Sequence, residues 1–314
     1  MVIGIVGLTR KQAFHTLFAL LITVILFLWI FKRYPIQLNL KILRTIDFFY
    51  LSLSILILLL TISFFILRWY AIMKALNKKI SMRKAYLSFM SALPLNSIVP
   101  SKIGDLGKAI YLREYGIAKV FGAVVAERFL DILVLLCFLM VSIGYLEAFL
   151  LKILAIISFL GLVCILVVLF LFAEYFKSIK IKYLSNLSLA LITIVKNKVV
   201  CMKTILYTLL AWICSLIQLY LIFVSLGIKV SLIEFIQKIT IVIFIGMLPI
   251  TISGMGSRDA AIIAFFNQYA SETTLLVAGL LFTIGRYWIP AIIGIPYLHL
   301  LTTKPKKRQK KMKL

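Results

Sequence analysis

Acidic side chains are scarce in this sequence: 10 Asp and Glu stand against 35 Lys and Arg in 314 residues, a formal net charge of +25. Histidine is scarcer, with His15 and His299 isolated near the ends of apolar runs, where a structural or interfacial role accounts for them. The four cysteines, Cys137, Cys164, Cys201 and Cys214, lie in apolar runs without CxxC spacing or a neighbouring histidine. They read as small packing residues, so neither a disulfide framework nor a metal site is expected. Charged residues make up only 14% of the chain and hydrophobic ones 63%, with a mean hydropathy of +1.12. That composition excludes a soluble globular domain. No nucleotide-binding loop is present, and apart from the tail there is no soluble domain, heptad array or disordered linker.

What the chain does have is long hydrophobic runs. Residues 12–31 follow Arg10 and Lys11 as a charge-free run of 20, about 30 Å as a helix and enough to cross the hydrocarbon. The run is longer than a signal-peptide core and lacks a small-residue cleavage site, so it is expected to be a retained span. Further spans are expected over Phe48–Leu67, about Ile117–Gly144, 153–173, Thr204–Ile228, Ile239–Ser257 and Thr273–Thr303. A basic loop holds Arg68, Lys74, Lys78, Lys79, Arg83 and Lys84. A second holds Lys177, Lys180, Lys182, Lys196 and Lys198, and the tail reads KPKKRQKKMK. The positive-inside rule and anionic headgroups explain this excess of base without nucleic acid. Both termini are then cytoplasmic, which requires an even number of crossings, so a short helix over 257–269 is expected to help complete an eighth. The predicted fold is an all-α, polytopic membrane helix bundle of about eight crossings, with broken or re-entrant helices near 85–112 and 250–270. A single transmembrane domain, 1–303, precedes a basic cytoplasmic tail, 304–314, and the location is the cell membrane.

Two stretches are not explained by insertion alone. In LPLNSIVPSKIGDLGK, Pro94, Pro100, Gly104 and Gly107 puncture an apolar pattern around Asn96, while Lys102, Asp105 and Lys108 bring in ions. The pattern predicts a segment up to Ser97, a proline-containing break and a second short helix opening near Ser101, together forming a re-entrant hairpin. The free N–H groups of such a helix, with Lys102 and Lys108, suit a phosphate. Alternatively both lysines snorkel and Asp105 merely favours its own helix start. In LPITISGMGSRDAA, Pro249, Gly254 and Gly256 break the backbone before Arg258 and Asp259, and Arg258 can bind phosphate through two parallel hydrogen bonds. Between them, VVAERFLDILVLL places Glu127 and Asp131 at i, i+4 on one helix face, with Arg128 turned about 100° away. These acids can pair with Lys102, Lys108 or another span's arginine, relay protons, or bind a cation. Arg286, near the middle of the last span, is the other deep arginine; its plainer role is pairing with Asp259, Glu127 or Asp131. PSKIGD and SGMGSRD both place small residues before a base and an acid, as do paired interrupted segments in transporters built from repeats.

Together these blocks resemble the membrane region of lysylphosphatidylglycerol synthases and the wider flippase-like family. The family pattern is an Asn, then P-x-R-x-G-[DE]-x-x-R, then ER-x-x-D, then LP-x-S-x-G-G-x-G-x-R-[DE]. Here Asn96 precedes Pro100, Lys102, Gly104, Asp105 and Lys108. Glu127, Arg128 and Asp131 fit the middle block, and Leu248, Pro249, Gly254, Gly256, Arg258 and Asp259 the last. Lys102 and Lys108 stand where arginine is usual and Ser253 where glycine is common, so charge is kept at the two lysines and fork geometry lost. The resemblance, from about residue 40 to 300, implies lipid translocation. Without the soluble aminoacyl-transferring domain, lipid lysylation by these residues is not expected.

The expected function is translocation or handling of a phosphate-bearing lipid, a phospholipid or a polyprenyl-phosphate-linked sugar. Lys102, Lys108, Arg258 and Arg286 would receive the phosphate, and Asp105, Glu127, Arg128, Asp131 and Asp259 would form ion pairs or a proton relay. No enzyme activity, cofactor, metal or nucleic-acid partner is expected. The partners would be anionic or polyprenyl-phosphate lipids, with a homo-oligomer or envelope and glycan-pathway enzymes besides. Two alternatives stay open: an intramembrane transferase acting on a lipid-linked sugar, with Asp105, Glu127 or Asp131 as base or as ligands for a divalent ion, and a noncatalytic partner of an envelope or glycan pathway.

Overall fold

The computed structural model describes residues 45–98, 104–141, 182–247, 251 and 254–301, with scattered helical residues between 152 and 168. The expected first span, most of the span expected over 153–173, Pro100, Lys102, Pro249, Ser253 and the tail lie outside the described residues.

Helix α1, Phe48–Leu76, forms from 29 residues without glycine or proline, and Asp47 caps it by accepting a hydrogen bond from the Phe49 N–H at 2.9 Å. Leu58, Thr61, Ile62, Phe65, Arg68, Trp69, Ile72 and Met73 recur at helical spacing on its buried side, whereas Leu56, Leu59 and Leu60 are exposed. The helix does not end near Leu67. Arg68, expected in a cytoplasmic loop, is a buried residue of its interior.

Helix α2, Met82–Ile98, is not broken at Pro94, which lies inside it. The notch at that proline is filled by Gly294, where a Cβ would stand 2.6 Å from Pro94 Cδ and 2.7 Å from the Met90 carbonyl oxygen. Ser101, where the second helix of the hairpin is expected to open, lies outside the described residues; the next described helix, α3, Leu106–Tyr111, is six residues long and continues from 3-10 backbone at Gly104 and Asp105. It folds back on α2 so closely that a Cβ on Gly104 would lie 2.3 Å from the Asn96 nitrogen. Lys84 pairs with Glu114 and donates to the Tyr115 hydroxyl at 3.2 Å, which closes the base of the hairpin.

Gly116, at φ 93°, turns the chain into α4, Ile117–Val141. Residues 182–196, read above as part of a basic loop, form helix α5, Lys182–Lys196. It lies on α4 where Gly122 admits it: a Cβ there would be 2.5 Å from the Asn186 carbonyl oxygen. Its Ala190, Ile192 and Ile194 are buried with Leu191 and Thr193 half-buried between them, a short apolar pattern that the flanking lysines hid in the sequence.

Helix α6, Lys198–Ser225, runs antiparallel to α1: the Asp47 N–H donates to the Ser225 carbonyl at 2.8 Å, while Lys74 and Lys78 share a groove with Asn197 and Lys203 at the other end. Helix α7, Leu232–Met247, and α8, Ser257–Phe266, form a second hairpin through Gly254, at φ 72°, whose Cβ would meet the Gly246 oxygen at 2.4 Å. Helix α9, Glu272–Thr283, continues through a π-helical turn, Ile284–Trp288, into α10, Ile289–Gly294, and a 3-10 turn, Ile295–Leu301. Pro290, lacking an N–H and crowding the preceding turn, accounts for the bulge.

The fold is an all-α membrane bundle. Among the described residues, Phe48–Leu76, Lys198–Ser225 and Glu272–Leu301 are long and apolar enough to cross a membrane. One core gathers Phe223 edge-to-face with Phe235 and Phe266 at 5.1 and 5.0 Å, and another gathers Trp69, Met73, Leu112 and Ala123. The order long helix, medium helix, glycine turn, short helix, long helix occurs twice, first as α1 to α4 and again from α6 through Leu301.

Gly104→Ala should lower the melting temperature of the detergent-purified protein, with a loss of at least about 1–3 kcal/mol from overpacking. Gly161→Ala, with nothing within 4 Å of the new Cβ, should leave it unchanged.

Candidate functional site

Four elements bring ions together at the junction of the two cores. Glu127 and Asp131, one turn apart on α4, are both fully buried, and Arg68 of α1 reaches both. Its Nε stands 3.2 Å from Glu127 Oε1, while Nη1 and Nη2 make 2.6 and 3.4 Å contacts to the two oxygens of Asp131. Lys108 of α3, also buried, donates to Glu127 Oε2 at 2.7 Å and lies 3.3 Å from Asp105 Oδ1. Its ammonium is also held over the rings of Trp69 and Phe89 at 4.7 and 4.8 Å. Arg128 bridges Asp105 at 2.5 Å and Asp131 at 2.9 Å, and its side chain keeps 25% exposure toward a cavity. Neutral donors complete the set: Trp212 Nε1 to Asp131 at 3.1 Å and Asn96 Nδ2 to Asp105 at 2.9 Å.

Of the roles left open for the acids, the geometry realises pairing with Lys108 and with another span's arginine. That arginine, Arg68, is the residue the sequence reading missed. Its signal was present: the hydrophobic run resumes after Arg68 and Trp69 with Ala71, Ile72 and Met73, and two acids on a neighbouring apolar helix require a cation at their own depth. Trp212 and Tyr287 carried no comparable signal.

The second centre lies where α8 begins. Asp259 accepts from the Gly256 N–H at 3.0 Å, capping the helix, and takes Arg258 Nη2 on its other oxygen at 3.0 Å. The same Nη2 donates to Thr283 Oγ1 and contacts the Gly279 carbonyl at 3.5 Å, bracing α8 against α9. Gly279 and Gly246 make room for this: Cβ atoms there would stand 2.6 Å from Asp259 and 2.9 Å from the Arg258 side chain. Arg258 is 2% exposed and its Nε has no hydrogen-bond partner among the described residues.

Arg286 stands on the π turn between these centres. Among the described residues its side chain makes neither ion pair nor hydrogen bond; the guanidinium lies over the Phe65 ring at 5.1 Å. With Tyr287 it lines two cavities. One of about 70 Å³ is shared with Arg68, Asn96, Asp105 and Arg128, and one of about 30 Å³ with Trp212 and Arg258. Ser97 ties the wall together by donating to the Tyr287 carbonyl at 2.8 Å. Of the four bases expected to receive phosphate, Arg258 and Arg286 therefore share a cavity, Lys108 is enclosed by acids and rings, and Lys102 lies outside the described residues.

Arg68→Met should be severely destabilising, by about 3–5 kcal/mol, because it strands two buried carboxylates. Adding Glu127→Gln and Asp131→Asn should recover part of the melting temperature, and failure of that recovery would remove charge compensation as the cause.

The described residue pattern matches known proteins over most of its length. The family model described as the lysylphosphatidylglycerol synthase TM region matches residues 16–294. A UPF0104 membrane protein of Pyrococcus horikoshii is 23% identical over 300 residues, covering 82% of this chain and 89% of the relative. One of Methanothermobacter thermautotrophicus is 24% identical, covering 81% and 87%, and one of Methanocaldococcus jannaschii is 26% identical, covering 78% and 82%. No solved structure matches. The chain belongs to the lysylphosphatidylglycerol synthase transmembrane-region family.

Proposed function

We propose that this protein moves a phosphate-bearing lipid, a phospholipid or a polyprenyl-phosphate-linked sugar, from one leaflet to the other. The observation that carries this reading is Arg286: an arginine without ion pair or hydrogen bond among the described residues, midway along a 30-residue apolar span and facing two cavities. Such a charge is costly at membrane depth and is kept where a ligand or a watery path meets it. A phosphodiester is a fitting guest, because a guanidinium offers it two parallel charge-assisted hydrogen bonds. The headgroup would travel inside the bundle while the acyl chains stay in lipid.

The neighbouring ions have a supporting part. Arg68 and Lys108 are neutralised by Glu127, Asp131 and Asp105, so they hold the walls, and Arg128, exposed to the larger cavity, is the next base a phosphate would meet. The same pairing weighs against a transferase, since each of these acids is engaged by a cation. We read the protein as a carrier rather than an enzyme, in the cell membrane with both termini cytoplasmic, working on anionic or polyprenyl-phosphate lipids. Membership of a lipid-related membrane family supports this reading.

The test is reconstitution into vesicles with fluorescent phosphatidylglycerol or a fluorescent polyprenyl phosphate in one leaflet. Wild-type protein should speed exchange, and Arg286→Ala should slow it about tenfold or more, the worth of one charged hydrogen bond, with its melting temperature held. Exchange by Arg286→Ala at the wild-type rate would remove Arg286 from the path.

A further inference from the structure

The two copies of the helix pattern run in opposite directions, because α1 and α6, their first members, are antiparallel. Matching the copies by helix starts pairs Phe48 of α1 with Lys198 of α6, and Ile117 of α4 with Glu272 of the last span. In that register Gln218 stands as far along α6 as Arg68 does along α1, and Arg286 as far along the last span as Asp131 along α4. The first pair is the buried fork of the ion cluster. Gln218 reaches the turn that carries Arg286: a Cβ on the neighbouring Gly285 would lie 2.9 Å from Gln218 Nε2.

The second pair differs in being unsatisfied. Gln218 is 0% exposed, yet neither its Nε2 nor its Oε1 has a hydrogen-bond partner among the described residues. The hydroxyl of Ser215, one turn earlier and 1% exposed, is likewise unpartnered. An amide retained only to join helices finds a partner, and an apolar side chain of the same size serves packing better.

These residues extend a continuous stripe. Thr204, Thr208, Trp212, Ser215 and Gln218 are all buried and follow one another at intervals of four and then three, which keeps them on one face over about 21 Å at 1.5 Å per residue. At Thr208 the stripe accepts from Arg68 at 3.4 Å, and at Trp212 it donates to Asp131. It then passes to Ser215 and Gln218, both without partners among the described residues, and Gln218 lies beside the π turn.

We propose that Ser215, Gln218 and Arg286 form a second headgroup station, the inverted counterpart of Arg68 and Asp131, through which a lipid phosphate passes after the ion cluster. This rests on the lipid-moving function proposed above. The guanidinium supplies charge, and the amide N–H and serine hydroxyl supply donors to the phosphate oxygens.

Gln218→Leu separates this role from a structural one. Removing an unsatisfied buried amide should leave the melting temperature equal or higher, while exchange of fluorescent phosphatidylglycerol in reconstituted vesicles falls about tenfold or more. Gln218→Asn, which keeps an amide, should retain more exchange than Gln218→Leu. If wild-type protein moves no lipid, the carrier reading fails and the station with it. If wild-type protein moves lipid and Gln218→Leu matches it, the station alone is overturned, and a lowered melting temperature with slowed exchange likewise assigns Gln218 to packing. Should Gln218→Leu not fold, Gln218→Met is judged by the same two readouts.

Discussion

A carboxylate buried in an apolar bundle must be met by a cation at its own depth, and Arg68 meets two of them. Its fork on Asp131 and its contact with Glu127 join α1 to α4, while Lys108 brings in α3 and Trp212 brings in α6. Apolar packing between membrane helices sets few unique registers, because lipid tails offer nearly the same contacts. Directional, charge-assisted contacts discriminate between registers more sharply. The ions at this junction thus specify how four helices stand relative to one another, and the cavity walls follow from that arrangement.

The cations fall into two kinds. Arg68 and Lys108 are paired with acids and held against aromatic faces, which leaves them little to offer a ligand even where Arg68 borders the larger cavity. Arg128 bridges two acids and still opens on the larger cavity, and among the described residues Arg286 makes neither ion pair nor hydrogen bond and lies over the Phe65 ring. Among the described residues, enclosed and accessible cations are thus arranged side by side along the same cavity wall. The second hairpin repeats the idea more weakly, with Arg258 braced through Nη2 on Asp259 and Thr283 while its Nε has no partner among the described residues.

Much of this was legible in the residues. The long helices follow from uninterrupted apolar runs, the paired glycine turns from Gly104, Gly254 and Gly256, and the depth of Glu127 and Asp131 from their i, i+4 spacing. Arg68 was misplaced because a base after an apolar run looks like the end of a span, and its true position depends on acids distant in sequence. Helix α5 was hidden by its flanking lysines, whose charge outweighed a short amphipathic pattern. Pro94 reads locally as a breaker, but Gly294 packs into its notch and the helix continues. Which bases are free and which are paired is a property of distance, and no local pattern encodes it.

The wide turn over Ile284–Trp288 carries one residue more than an α-helical turn would. Pro290, which has no N–H to give the preceding turn, holds that surplus residue in place. The widened turn sets Arg286 on the boundary between two chambers, so that one guanidinium borders both at once.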